Sequence, residues 1–181
     1  MDTLKTLEVD RLIKKLEFVI SDYEYQSELM SGVERHFQTS VSELLKEYPQ
    51  LSEFYEENKF DDGSESIDIE QNSDQSVIKD LYKKIVKETH PDKTADSKMN
   101  TLFKEASQAY KNKDIVDMIR YGHALNIDIE DIPIDKIKER IEMIEKKTEF
   151  LKKTYTWKWM VTDDQIEKRK IIIQYLRSNI I

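Results

Sequence analysis

An apolar stripe near the N-terminus constrains this chain more than any other feature. Leu12, Leu16, Val19, Tyr23, Met30, Val33, Phe37, Val41, Leu44 and Tyr48 recur at spacings of three and four, with Gln26 as the one polar member. That spacing gathers side chains on one face of a helix, whereas a strand alternates its faces every second residue. The stripe crosses Gly32 without losing phase, so one long helix is expected rather than a hairpin, and at about 1.5 Å per residue it reaches roughly 60 Å. Pro49 ends it, because proline disfavours helical geometry in the residue before it. A helix this long needs partners along its apolar face. Composition points to further helices: three Gly and three Pro in 181 residues, with 36% of residues charged and 38% hydrophobic, leave little turn chemistry for a sheet. The expected fold class is all-α.

Four segments follow along the chain. Residues 1–50 form the long amphipathic N-terminal helix, and residues 51–75 read as an acidic linker. Between Glu53 and Asp74 nine acidic residues face one Lys, which accounts for the whole formal net charge of -8. The stretch also carries Asp61-Asp62-Gly63-Ser64 and no sustained period, the pattern of a solvated connector. Residues 76–130 form a compact module. In it Ile78, Leu81, Tyr82, Ile85 and Val86 make an apolar helix face, and Lys79, Lys83, Lys84 and Lys87 a basic one. A second helix through Leu102, Phe103, Ala106, Ala109 and Tyr110 completes an antiparallel hairpin, and Asp114 is placed to cap a further short helix. Residues 133–181 read as a C-terminal helical hairpin that packs with the N-terminal helix. Its first arm follows Ile137, Ile141, Ile144, Thr148, Leu151 and Tyr155, and its second starts near Asp163 behind a Thr162-Asp163-Asp164-Gln165 capping box.

Several function classes are excluded or disfavoured. Without Cys there is no disulfide, thiolate metal site or cysteine nucleophile. No apolar run approaches the roughly eighteen residues that a membrane span requires, and the N-terminus lacks the pattern of a signal peptide. The expected location is therefore the cytoplasm, with no membrane partner. His36 and His123 each stand alone on a helix without a second ligand at metal spacing, so neither a metal nor another cofactor is expected. Three scattered Gly supply no phosphate-cradling loop and no nucleophile–base pair is visible, which argues against an enzyme. Nucleic acid is disfavoured by the overall acidity, although Asp135 to Ile181 holds twelve basic residues against eight acidic ones.

The tip of the hairpin carries His90, Pro91 and Asp92. Pro91 fixes the backbone at a helix exit, so two packed helices present His90 and Asp92 from a stiff polar loop, as a recognition surface would. Here the sequence resembles a known family: IKDLYKKIVKETHPDK, Ile78 to Lys93, is similar to the second helix and loop of J domains, and LFKEASQAY, Leu102 to Tyr110, to their third helix. The resemblance implies a DnaJ-like co-chaperone that catalyses nothing itself and stimulates ATP hydrolysis by a DnaK-type heat-shock chaperone. It assigns the partner-binding role to His90, Pro91, Asp92, Lys79, Tyr82, Lys83, Lys84, Lys87 and Lys93. Asp92 would meet a cation near the partner's interdomain junction, and the lysines an acidic surface.

The chain departs from the family in two ways. No Asp-Tyr-Tyr-x-x-Leu-Gly-like first helix precedes Gln75, so either part of Leu51 to Lys59 supplies it or another element, such as the helix after Asp114, covers the exposed side of the hairpin. The Gly/Phe-rich stretch and Cys-based zinc module of full-length DnaJ proteins are also missing, which leaves client choice to the flanking helices. Tyr155, Trp157 and Trp159 are candidates for client or partner contact, against the plainer reading that they plug the end of a helical bundle. Two further arrangements fit the pattern: a homo-oligomer through the long helices, and a structural or assembly protein that keeps a J-like hairpin. With 21 Ile against four Ala, the composition also suits an AT-rich genome, viral or low-GC bacterial.

Overall fold

The computed structural model describes residues 3–49, 75–94, 96–129 and 132–178. Their helices, in order, are α1 (Thr3–Glu47), α2 (Gln75–Thr89), α3 (Ser97–Lys111), α4 (Ile115–Ala124), α5 (Ile134–Lys153), α6 (Tyr155–Met160) and α7 (Gln165–Ser178). Among the described residues there is no strand, and no helix is long and apolar enough to cross a membrane. The fold class is all-α. The stretch read as an acidic linker, and with it Leu51 to Lys59, lies outside the described residues. The chain divides into two compact units, one of Met1–Lys14 with Ser66–Arg140 and one of Lys15–Glu65 with Ile141–Ile181.

In the first unit α2, α3 and α4 pack against one another. Tyr82, midway along α2, stacks on Tyr110 near the end of α3, with centroids 4.3 Å apart, while His90, just past the end of α2, meets Phe103 midway along α3, so the two helices are antiparallel. Ile78, Leu81, Ile85, Ala106 and Ala109 are buried in this hairpin. The chain leaves α3 through Lys113 in the left-handed region (φ 55°). There Lys113 N–H donates to Tyr110 O at 3.1 Å and Asp114 N–H to Ala109 O at 2.9 Å, which satisfies the last carbonyls and turns the chain back. Asp114 then caps α4: its Oδ1 accepts from the amides of Val116 and Asp117, each at 3.1 Å. Its Oδ2 accepts from Arg140 at 2.7 Å, and both side chains of this ion pair are more than four-fifths buried.

Helix α4, one of the elements expected to cover the hairpin, packs on both of its helices, while the other named candidate, Leu51 to Lys59, lies outside the described residues. Ile115, Val116, Met118, Ile119 and Gly122 are buried on it. A Cβ on Gly122 would lie 2.9 Å from Ile129 Cδ1 and 3.0 Å from Leu81 Cδ1, so a side chain's absence there lets α4 approach both. The first turns of α1 add to this cover through His123 Nε2 and Asp10 Oδ1, 2.9 Å apart, and Lys138 and Glu8, 3.2 Å apart. Val9, Ile119, Ile127, Ile129 and Ile132 line a cavity of about 100 Å³ beside the His123–Asp10 pair.

In the second unit α1 runs in the same direction as the α5–α6 segment: Lys15 pairs with Glu145 of α5 at 2.9 Å and, further along, Glu34 accepts from Thr156 Oγ1 of α6 at 2.8 Å. Helix α7 runs the opposite way, with Arg169 on Glu47 at 2.7 Å and Tyr175 on Phe37 with ring centroids 5.2 Å apart. Phe37, Val41, Leu44, Ile172 and Leu176 form the core there. Two local expectations change. Thr154 ends α5 by donating to Leu151 O at 2.7 Å and caps α6 by accepting from Trp157 N–H at 3.2 Å, so Tyr155 begins a separate short helix. The cap of α7 is Asp164, whose Oδ1 accepts from Ile166 N–H at 2.7 Å, while Thr162 Oγ1 donates back to Lys158 O and is unavailable for the expected box.

Three measurements test this packing. Asp114→Ala removes a cap and strands the largely buried Arg140, so denaturant unfolding should lose about 2–4 kcal/mol. Burial, and then the Asp114 charge, push the Asp117 carboxyl above its usual range, against the opposing pull of Arg120. A raised folded-state pKa makes the folded form the better proton acceptor, so Asp117 contributes stability as pH falls from neutral toward the unfolded value of about 3.9. Wild type should therefore gain stability relative to Asp117→Asn between pH 7 and 4 in paired melts. Gln26 Nε2 donates to both Asp22 carboxylate oxygens at 2.9 Å, while its Oε1 is buried without a hydrogen bond among the described residues. Gln26→Leu, which relieves the stranded acceptor and leaves half-buried Asp22 to water, should therefore raise the thermal midpoint by the equivalent of no more than about 1 kcal/mol.

Candidate functional site

The face of α2 decides which side chains can meet a partner. At about 100° per residue, Lys79, Lys83 and Lys87 fall on one stripe spaced by fours, whereas Lys84 turns a further 100° toward the Leu81 side. All four lysines are exposed. Lys83 makes a surface pair with Asp80 at 3.0 Å, an interaction worth at most about 1 kcal/mol. Lys84 Nζ instead donates to the carbonyl of Asp128 at 3.0 Å, in the loop behind α4. Tyr82, named from sequence as a partner contact, is half-buried and engaged within the hairpin. Besides stacking on Tyr110, its hydroxyl lies 3.1 Å from Ser107 Oγ, which itself donates to Phe103 O at 2.7 Å.

The tip is built on a closed turn. Helix α2 ends at Thr89, fully buried, whose hydroxyl donates to Ile85 O at 2.9 Å. His90 N–H continues the helical pattern to Val86 O, and the amides of Lys93 and Thr94 fold back onto His90 O at 2.9 and 3.3 Å. The imidazole is set from two sides. Its ring meets the Phe103 ring edge to face, centroids 5.5 Å apart at 78°, and Nδ1 accepts from Asp92 N–H at 3.2 Å. A neutral ring accepting at Nδ1 carries its proton on Nε2. Pro91 is exposed, and the Asp92 side chain, with Oδ2 3.5 Å from His90 Nδ1, is 89% exposed. Lys93 Nζ reaches back to Lys87 O at 3.0 Å, joining the tip to the lysine stripe. Beyond the loop, Asp96 caps α3 by accepting from Lys98 N–H at 2.8 Å.

The result is a stiff tip that offers one carboxylate, an imidazole edge and a proline ring to solvent, flanked by a row of ammonium groups. Residues 65–112 match the family model described as the DnaJ domain. The chain carries a J domain. A 48-residue stretch, 26% of this chain, is 40% identical to the chaperone protein DnaJ of Desulfotalea psychrophila and covers 13% of that protein. No solved structure gives a significant match.

Sequence reasoning did not assign Thr89, Phe103 or Lys93 their parts in setting the J-domain loop. Phe103 was legible only as a core position, since nothing local shows that its ring edge meets His90. Outside the J domain the aromatic cluster is split. Trp159 packs on Phe37, centroids 5.8 Å apart, under the Lys168 ammonium 4.4 Å above its ring. Tyr155 packs on Tyr175 at 5.7 Å. Both therefore belong to the core edge of the second unit, while half-buried Trp157 makes no ring contact among the described residues. His36 is exposed, and the described residues hold no group of three or more His, Cys, Asp or Glu side chains suited to a metal.

Proposed function

We propose that this chain is a J-domain co-chaperone that stimulates ATP hydrolysis by a DnaK-type chaperone, with its remaining helices acting as client or partner adaptor. The observation that carries this reading is Asp92: a carboxylate, 89% exposed, held out from a turn that closes on backbone groups. A turn needs no such carboxylate for its own closure, since the loop hydrogen bonds run through His90 O and His90 Nδ1. A cation on a partner is its natural complement, and a charge-assisted bond there is stronger than a neutral one. The stripe of Lys79, Lys83 and Lys87 supports an acidic partner surface, for which like-signed ammonium groups raise the encounter rate more than the final affinity.

The chain itself performs no chemistry in this scheme. Docking acts by preferring one conformational state of the partner, since equal affinity for two states moves no population. The partner then hydrolyses its own ATP and closes on a client. Trp157, half-buried and without a ring contact among the described residues, is the leading client contact of the three aromatic residues.

The decisive experiment is single-turnover ATP hydrolysis by a DnaK-type chaperone with this protein added as wild type or as Asp92→Asn. The expected outcome is stimulation by wild type and a loss of at least about tenfold with the mutant, the scale set by removing a charge-assisted contact of about 1.5 kcal/mol or more. No stimulation by wild type with several such chaperones would make the hairpin a retained shape in a structural or assembly protein.

A further inference from the structure

The four lysines of α2 divide into two groups with different tasks. Lys79, Lys83 and Lys87 share a stripe, and Lys93 joins it at the tip through Lys87 O. Lys84 lies off that stripe with its ammonium on Asp128 O, 44 residues away in sequence. The segment it meets is a built turn. Asn126 has a φ of 54°, and the amides of Asn126 and Ile127 donate to His123 O at 3.0 Å and Gly122 O at 2.9 Å. This closes α4 as Lys113 and Asp114 close α3, and sends the chain back over α2. Ile129 then inserts beside Leu81 and Gly122 and is only 7% exposed. Next to this anchor Val77, Leu81 and Ile129, with Asp80, Lys83, Lys84 and Asp128, line an open cleft of about 470 Å³. The return loop therefore bridges part of α2's flank, held by Ile129 on the apolar side and by Lys84 on the polar side.

Resting on the co-chaperone reading, we propose that Lys84 is a positioning residue that ties the 126–129 return loop to α2, and that Lys79, Lys83 and Lys87 alone form the helix's charged partner face. The loop buries Ile129 beside Leu81 and Gly122 and so packs onto the flank of α2. Lys84 is the ammonium that holds it. The physical basis is geometric: a side chain 100° round from the stripe that is already donating to a carbonyl is turned away from whatever the stripe meets.

The test uses the full-length chain in three variants, Lys83→Met, Lys84→Met and Lys84→Arg, with two readouts. Amide hydrogen exchange at Asn126 and Ile127 should quicken about two- to tenfold in Lys84→Met, the range expected for losing one ordinary hydrogen bond. It should be unchanged in Lys83→Met and restored in Lys84→Arg. Binding to an ATP-loaded DnaK-type chaperone across a salt series should weaken and lose salt dependence in Lys83→Met but stay within about twofold of wild type in Lys84→Met. Unchanged exchange in Lys84→Met, or a loss of salt dependence equal to that of Lys83→Met, would overturn the assignment. If wild type binds no such chaperone, the co-chaperone reading falls and takes the partner-face half with it, while the exchange arm still decides whether Lys84 is a tether.

Discussion

Asp114 holds together the part of the molecule on which everything else near the J-domain tip depends. One oxygen closes the first turn of α4 on two backbone amides and the other takes the guanidinium of Arg140. Capping a helix satisfies donors that would otherwise be stranded, and a paired carboxylate in a largely buried setting repays part of its desolvation. Because α4 is only ten residues long, it could not persist as an isolated helix, and its cap and its packing support one another. With α4 in place, Leu81 and Ile85 are buried and α2 is a rigid strut.

The strut in turn decides the chemistry of the tip. His90, Pro91 and Asp92 sit where α2 stops, and their geometry is fixed by groups behind them: a buried Thr89, the edge of Phe103 and the back-turned amides of Lys93 and Thr94. Little of the loop's conformational freedom remains to be lost on binding, which is how a small contact area can give a definite outcome. The arrangement also sorts cations by neighbourhood. Lys79, Lys83 and Lys87 project along one line, Lys93 extends it, and Lys84 belongs to the cover.

Much of this was legible in the linear pattern. The threes and fours of Leu12 to Tyr48 gave a helix whose limits, Thr3 and Glu47, lie beyond and just inside that stripe. Asp114 was recognisable as a cap because Asp before an apolar-periodic run has a local job, accepting from amides two and three residues on. The C-terminal third was read less well. Thr162 satisfied the pattern of a capping box, yet its hydroxyl serves Lys158 O and Asp164 caps instead, because α6 ends one residue before Val161 and draws Thr162 into its own last turn. Thr154 broke a stripe that periodicity carried straight through to Tyr155.

The sequence by itself determined the helices and the J-domain tip, because both are written in short-range terms: spacing along one helix, a proline at its exit, and a tripeptide flanked by matching helix faces. Tertiary structure alone decided how closely α4 packs on the hairpin, which lysine reaches the loop behind α4, and which ring orients His90. Those depend on Gly122 admitting Ile129 and Leu81, on Lys84 reaching Asp128, and on Phe103 meeting His90. Each joins residues distant in the chain, and periodicity carries no information about which distant partner a face will find.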